Sequence, residues 1–92
     1  MTVALMWEAR AVPGRAKDLL AWARDQDLPA RPLRRETFRA AGDRVLVITW
    51  WNAPLDTALP ELPEPAGELV TRAVHRWRFE SVGVEWSDEA SS

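Results

Sequence analysis

The chain has 92 residues, no cysteine, a single histidine (His75) and a formal net charge of −2. A chain of this length makes one domain with a small core, and such domains often gain stability by forming oligomers. Without cysteine there is no disulfide, thiol nucleophile or cysteine-based metal site, and one histidine excludes a multi-histidine metal site within a subunit. The weak negative charge argues against a nucleic-acid partner.

The longest apolar stretches cover residues 3–7 and 45–51. Both are far shorter than the roughly 20 residues that a helix needs to cross a bilayer. No basic segment precedes the first stretch, so we expect no signal peptide. The sequence therefore predicts a cytoplasmic protein without a membrane partner.

In the first half of the chain, the spacing of the apolar residues predicts both strands and a helix. Alternation indicates strands, whereas Ala16, Leu19, Leu20 and Ala23 follow the i, i+3, i+4, i+7 pattern of a helix. Two prolines at positions 29 and 32 end that helix. The predicted elements are a strand at Val3–Arg10, a turn at Val12–Gly14, a helix at Arg15–Asp25, and strands at Leu33–Ala40 and Arg44–Trp51.

The second half begins with a proline-rich loop, Asn52–Glu64. Pro65 suits the first position of a helix, and we expect a short helix that ends near Arg72. His75–Val82 alternates as a fourth strand, with His75, Trp77 and Phe79 on one face. We divide the chain into one domain, residues 1–84, and an acidic, serine-rich tail, residues 85–92, which we expect to fray and which Trp86 could anchor.

The order of elements is βαββαβ, which predicts an α+β, ferredoxin-like fold with a four-stranded antiparallel sheet. The first and third strands are apolar on both faces, as central strands are, and the second and fourth carry charges typical of edges. Two short helices cover only one face of such a sheet. The other face would expose more apolar surface than a monomer tolerates, so we expect a homodimer.

Two segments give the chain a family resemblance. They are the turn Val12-Pro13-Gly14-Arg15 into a helix bearing Leu19, Leu20 and Trp22, and the strand end Ile48-Thr49-Trp50-Trp51-Asn52. With the element order, they make nearly the whole chain resemble the dimeric α/β-barrel superfamily, in its antibiotic-biosynthesis-monooxygenase-like branch. The resemblance implies a homodimeric α/β-barrel that binds an aromatic or polyketide-like molecule and oxidises it without a cofactor.

The resemblance also guides the choice of residues. Trp51 takes the place of a tryptophan that often ends this strand in the family, but the following helix and its histidine have no counterpart here. Heme-degrading members use an asparagine on the first strand, where this chain has Trp7, so heme degradation is not implied.

Five residues are candidates for the site. His75 is the candidate general base and Asn52 the group that polarises a carbonyl or an oxyanion, while Trp51, Trp7 and Trp77 are the candidate stacking surfaces. Each has a structural alternative: the tryptophans as core or dimer contacts, His75 bonded to a backbone carbonyl, and Asn52 capping the strand end. We expect no metal and no cofactor, because no metal-ligand or phosphate-binding motif is present.

Two other functions remain open. The protein could be a non-catalytic dimeric binding or accessory domain, and convergence of Trp51, Asn52 and His75 on a cavity of about 300 Å³ or more would favour the enzyme instead. RNA binding would use a basic hairpin that carries Arg34, Arg35, Arg39 and Arg44 with Phe38. The third strand lacks the basic-Gly-aromatic pattern of an RNA-recognition module, which favours pairing of these arginines with Glu36 and Asp43.

Overall fold

The computed structural model describes residues 1–87 and contains four strands and one helix in that range. In chain order they are β1 (Thr2–Arg10), α1 (Ala16–Asp25), β2 (Arg34–Ala40), β3 (Arg44–Asn52) and β4 (His75–Glu80). The strands form one antiparallel sheet in the order β2-β3-β1-β4. This α+β architecture is compatible with a ferredoxin-like fold, and β1 and β3 are the central strands, as the sequence predicts.

One face of the sheet, the covered face, carries the core. Alternate residues of β1 and β3 point to it, and Leu19 and Ala23 of α1 pack against them. Trp7 is 3% exposed and its ring stacks on that of Trp22, with centroids 5.9 Å apart. The buried strand residues of this face are Val3, Leu5, Trp7, Ala9, Val45, Val47, Thr49 and Trp51. Their removal from water supplies the main driving force for this layer.

The second predicted helix, Pro65–Arg72, is wrong: this segment forms only a turn at residues 67–69 and an isolated bridge between Val70 and Ala11. Val12 donates a backbone hydrogen bond to the carbonyl of Leu69, and the amide of Thr71 donates to the carbonyl of Arg10. Backbone groups that a helix would need are therefore taken by the end of β1. Tertiary pairing outweighs the helix-start signal of the proline.

Arginines on the two edge strands hold the layer that covers the core. Arg35 of β2 donates to the carbonyls of Ala23 (2.8 Å) and Gln26 (2.6 Å) at the end of α1. On β4, Arg76 donates to the carbonyl of Leu62 (2.6 Å), and Arg78 donates to two carbonyls of the connection, those of residues 55 and 57. The irregular connection 53–74 thus stays on the sheet without a helix of its own.

The opposite side of the sheet, the open face, is largely apolar. Trp77 and Phe79 of β4 are 50% and 51% exposed there, although aromatic rings of this size are normally well buried. The other apolar side chains of the open face are Ala4, Met6, Phe38, Ala40, Leu46, Ile48 and Trp50, all of intermediate exposure. The helix and the connection 53–74 pack on the other side, so the sequence expectation of one uncovered face holds for the single chain.

Candidate functional site

A pocket of about 550 Å³ lies at one end of the open face, where β1 ends and β3 and β4 begin. We call it the Glu8 pocket. It is lined by Met6, Glu8, Arg10, Gly42, Arg44, Leu46, Arg72, His75 and Trp77. Its volume lies within the roughly 300–1,000 Å³ typical of small-molecule sites.

Glu8 is the buried acidic group of this pocket, with 7% of its side chain exposed. Its carboxylate accepts a 2.7 Å hydrogen bond from Nη2 of Arg72, and Nη1 of Arg44 lies 3.7 Å from its second oxygen. A carboxylate among apolar side chains is stable only when it is paired, and Arg72 provides that pairing from the connection before β4. Arg72 and Arg44 therefore hold the Glu8 carboxylate in place.

His75 lies directly opposite Glu8 in the β1–β4 register. Its Nδ1 is 3.6 Å from Oε1 of Glu8, which is longer than a hydrogen bond. About half of the imidazole is exposed to the pocket and solvent. Histidine is the side chain that most often serves as a general acid or base.

Trp77 follows His75 by two residues on the same face, so alternation along β4 brings the two rings together. Their centroids are 5.4 Å apart and the planes are inclined by 75°, an edge-to-face contact. The half-exposed indole also lies opposite Met6 across the β1–β4 pair. The pocket therefore combines an imidazole with a flat apolar surface.

The structure brings two of the five sequence-predicted site residues together, His75 and Trp77. Trp7 and Trp51 are buried on the covered face, where Nε1 of Trp7 donates to the carbonyl of Pro63 (3.3 Å) and Nε1 of Trp51 donates to Oγ1 of Thr49 (2.8 Å). Neither indole can reach the Glu8 pocket through the sheet. Both are positioned as core residues, which was the structural alternative.

Asn52 lies at the far end of the sheet. It pairs with Thr2, six residues along β1 from the partner of His75, a separation of about 20 Å. Its Oδ1 accepts a 3.4 Å hydrogen bond from the amino terminus. Within one chain, Trp51, Asn52 and His75 therefore do not converge on one cavity. The predicted grouping of these three is corrected by the geometry, and the convergence that would have favoured an enzyme over a binding domain is not seen within residues 1–87.

Sequence reasoning missed Glu8, Arg10 and Arg72 as pocket residues. The signal that could have identified Glu8 is its place in an apolar central strand, on the same side as Ala4 and Met6. The connection to Arg72 had no such signal, because 64 residues separate it from Glu8.

The arginines of the basic hairpin do not form one surface. Arg34 pairs with Glu36 on the open face and lies over the ring of Trp50, whereas Arg35 binds the end of α1 on the covered face. Arg44 belongs to the Glu8 pocket. This division gives no continuous basic groove of the kind that single-stranded nucleic acids follow.

Within residues 1–87, no group of three or more histidine, cysteine, aspartate or glutamate side chains is placed to hold a metal ion. No helix in the same range is long and apolar enough to cross a membrane. Comparisons of the chain with protein-family models, with curated proteins and with solved structures give no significant match.

Proposed function

We propose that this protein is a homodimer that binds a small aromatic molecule in the Glu8 pocket and transfers a proton to or from it through His75. The observation that carries the proposal is the shared pocket of Glu8, His75 and Trp77 at the end of an apolar sheet face. The indole supplies a stacking surface, the imidazole supplies a base, and the carboxylate stabilises the imidazolium that forms.

The open face is the proposed dimer interface, and a second copy of the chain would pack against it. Four strands spaced about 4.8 Å apart and about seven residues long cover roughly 450 Å² in projection. The protruding side chains add to this area. Specific interfaces bury about 800 Å² per partner, so one such face supplies much of that area. Face-to-face packing would close the two sheets into an α/β-barrel and place the Glu8 pocket at its mouth, a frequent position for ligand sites.

The segment after β4 adds apolar surface that the single chain does not use. Val82, Val84 and Trp86 alternate along it and are 94%, 65% and 83% exposed. Trp86 therefore makes little contact with the rest of residues 1–87, and residues 88–92 of the predicted tail lie outside the described residues. Alternating apolar side chains beside an edge strand suit contact with a second subunit.

The family resemblance supplies the reaction class, a cofactor-independent oxygenation. His75 would remove a proton from an activated methylene of the substrate, and the resulting carbanion would be oxidised by O₂. The methylene carbon then becomes a carbonyl, one oxygen atom enters the product, and the other leaves as water with the two hydrogens. The substrate supplies all the electrons, so the protein contributes the base and a pocket that positions the substrate beside it.

The dimer is tested by sedimentation equilibrium at micromolar concentration. We expect twice the chain mass for the wild type and the chain mass for Ile48→Glu, because Ile48 lies on the open face and a buried unpaired carboxylate would oppose association. Ala21→Glu, on the exposed side of α1, is the control and should leave the mass unchanged. A monomeric wild type would contradict the proposal.

The reaction is tested with anthrone as the probe, by following oxygen uptake and the appearance of anthraquinone. We expect turnover by the wild type, loss of most turnover in His75→Gln, and wild-type turnover in Arg39→Gln, whose side chain lies outside the pocket. Binding of anthrone without turnover by the wild type would instead identify a non-catalytic binding domain. Equal turnover by His75→Gln would exclude His75 as the base.

A further inference from the structure

The Glu8 pocket contains more positive than negative charge. Three arginines, at positions 10, 44 and 72, line it together with His75, and Glu8 is the single acidic residue in the lining. The guanidinium of Arg72 is already paired, because it donates a 2.7 Å hydrogen bond to Glu8 and another hydrogen bond to the carbonyl of Ala73. The remaining two arginines therefore leave the pocket with an excess of positive charge.

Arg10 and Arg44 face each other directly in the β1–β3 register. Like charges in that position repel, so the pair destabilises the sheet unless something lies between them. Arg44 is partly engaged, because its Nε donates to the carbonyl of Ala41 (2.9 Å) and its Nη1 is 3.7 Å from Glu8. The guanidinium of Arg10 forms no hydrogen bond or ion pair with any of the residues 1–87.

An anion placed between these two arginines would remove the repulsion and would gain charge-assisted hydrogen bonds. A carboxylate has the planar geometry that matches the guanidinium group, and arginine binds it with two parallel hydrogen bonds. Trp77 lies on the other side of the pocket with Met6 and Leu46, which form an apolar surface for a ring. The polar and apolar parts of the pocket thus suit the two ends of one molecule.

We propose that the ligand of the Glu8 pocket is an aromatic carboxylate, whose carboxylate group binds Arg10 and Arg44 while its ring lies on Trp77. This inference rests on the proposed function, because it specifies the class of aromatic molecule that the same pocket binds. It adds two specificity residues, Arg10 and Arg44, that the proton-transfer proposal does not use.

The test compares anthraquinone-2-carboxylate with anthraquinone-2-carboxamide by isothermal titration calorimetry at low salt. The two probes share a ring system and differ in charge. We expect the carboxylate to bind about tenfold more tightly, since a hydrogen bond to a charged group is worth at least that factor. Arg10→Gln should remove most of this preference, because it should lower the affinity for the carboxylate far more than the affinity for the carboxamide.

Arg39→Gln is the matched control, because Arg39 is also an exposed strand arginine but does not line the Glu8 pocket. It should leave both affinities unchanged. Equal loss of carboxylate binding in Arg39→Gln would show that only the overall charge matters, and it would overturn the inference.

The two proposals fail in different ways. Suppose that both probes bind the wild type equally and that Trp77→Ala lowers the affinity for both. This result would support the aromatic site and would overturn the carboxylate inference. If neither probe binds, the aromatic site and the carboxylate inference both fall. The third outcome is a carboxylate preference that depends on Arg10, together with turnover of anthrone by His75→Gln. This result would support the anion site and would exclude the catalytic role of His75.

Discussion

Trp7 and Trp77 lie on neighbouring strands but on opposite faces of the sheet. Trp7 pairs with Arg76, and Trp77 pairs with Met6, so the two indoles are one residue out of register. Because strand side chains alternate between faces, this offset places Trp7 in the core at 3% exposure and Trp77 on the open face at 50%. The same residue type therefore packs in the core in one case and is half-exposed in the other, where we propose that it contacts a ligand or a second subunit.

We expect the two tryptophans to differ strongly in their contribution to folding. Trp7→Ala removes a buried ring that stacks on Trp22 and should lower the free energy of unfolding by about 3–5 kcal/mol. Trp77→Ala leaves the core intact and should cost less than about 1 kcal/mol at a protein concentration that favours monomers. Urea titrations monitored by circular dichroism measure both. Trp7→Phe serves if Trp7→Ala fails to fold, and equal losses for Trp7 and Trp77 would contradict the assignment of faces.

Arg35 should matter more to stability than a neighbouring arginine on the same side of β2. Arg35→Ala removes two hydrogen bonds from a charged donor to the carbonyls of Ala23 and Gln26, at a cost of about 1.5–3 kcal/mol. These carbonyls lie at the C-terminal end of α1, where a cation is favourable. Arg39→Ala is the control, and its exposed side chain should contribute less than about 0.5 kcal/mol. The measurement is the urea midpoint of each variant, and indistinguishable midpoints would rule out the anchoring role of Arg35.

The pairing of Glu8 with Arg72 should show measurable coupling. A double-mutant cycle with Glu8→Gln and Arg72→Gln should give a coupling energy of roughly 1–2 kcal/mol, because the carboxylate is buried and the guanidinium is partly so. The exposed pair Arg15–Asp18 provides a control cycle, with an expected coupling of about 0.5 kcal/mol or less. A coupling for Glu8–Arg72 as small as that of the surface pair would mean that Glu8 is solvated in solution.

Arg10→Gln should stabilise the protein in the absence of ligand. The substitution removes the repulsion between Arg10 and Arg44, which is worth about 0.2–1 kcal/mol for a directly opposed pair. The gain should shrink as salt is added, because exposed charges are screened. Thermal unfolding at low and high salt measures the difference, with Arg39→Gln as the control. A loss of stability in Arg10→Gln at low salt would argue that the two guanidinium groups do not repel.

The strands and the first helix could be predicted because their signals are local. Alternation identified β1, β3 and β4, and the 3.6-residue spacing around Leu19 identified α1. The predicted helix Pro65–Arg72 failed because its backbone pairs with the end of β1, and no local pattern reports a partner more than 50 residues away. Charged edges and apolar centres also predicted the positions of the strands in the sheet.

The site was harder to predict than the fold. His75 and Trp77 were chosen as an alternating pair on one strand, and the structure keeps them together. Asn52 and Trp51 were chosen because they end a central strand, but that end of the sheet is about 20 Å along the strands from the end where His75 lies. To judge Trp51 it was also necessary to know which face of the sheet its side chain points to. That face depends on the register of the strands rather than on the residue type.

The connection 53–74 is bound to the sheet largely through its own carbonyl groups, which accept hydrogen bonds from Trp7, Arg76 and Arg78. Every residue type provides such an acceptor, so most positions of this segment can change without loss of these bonds. The donors are side chains, and they cannot be exchanged in the same way. Sequence variation in homologous chains should therefore concentrate in the connection, apart from Arg72 and buried positions such as Leu62, while the residues on β1 and β4 that hold it remain constrained.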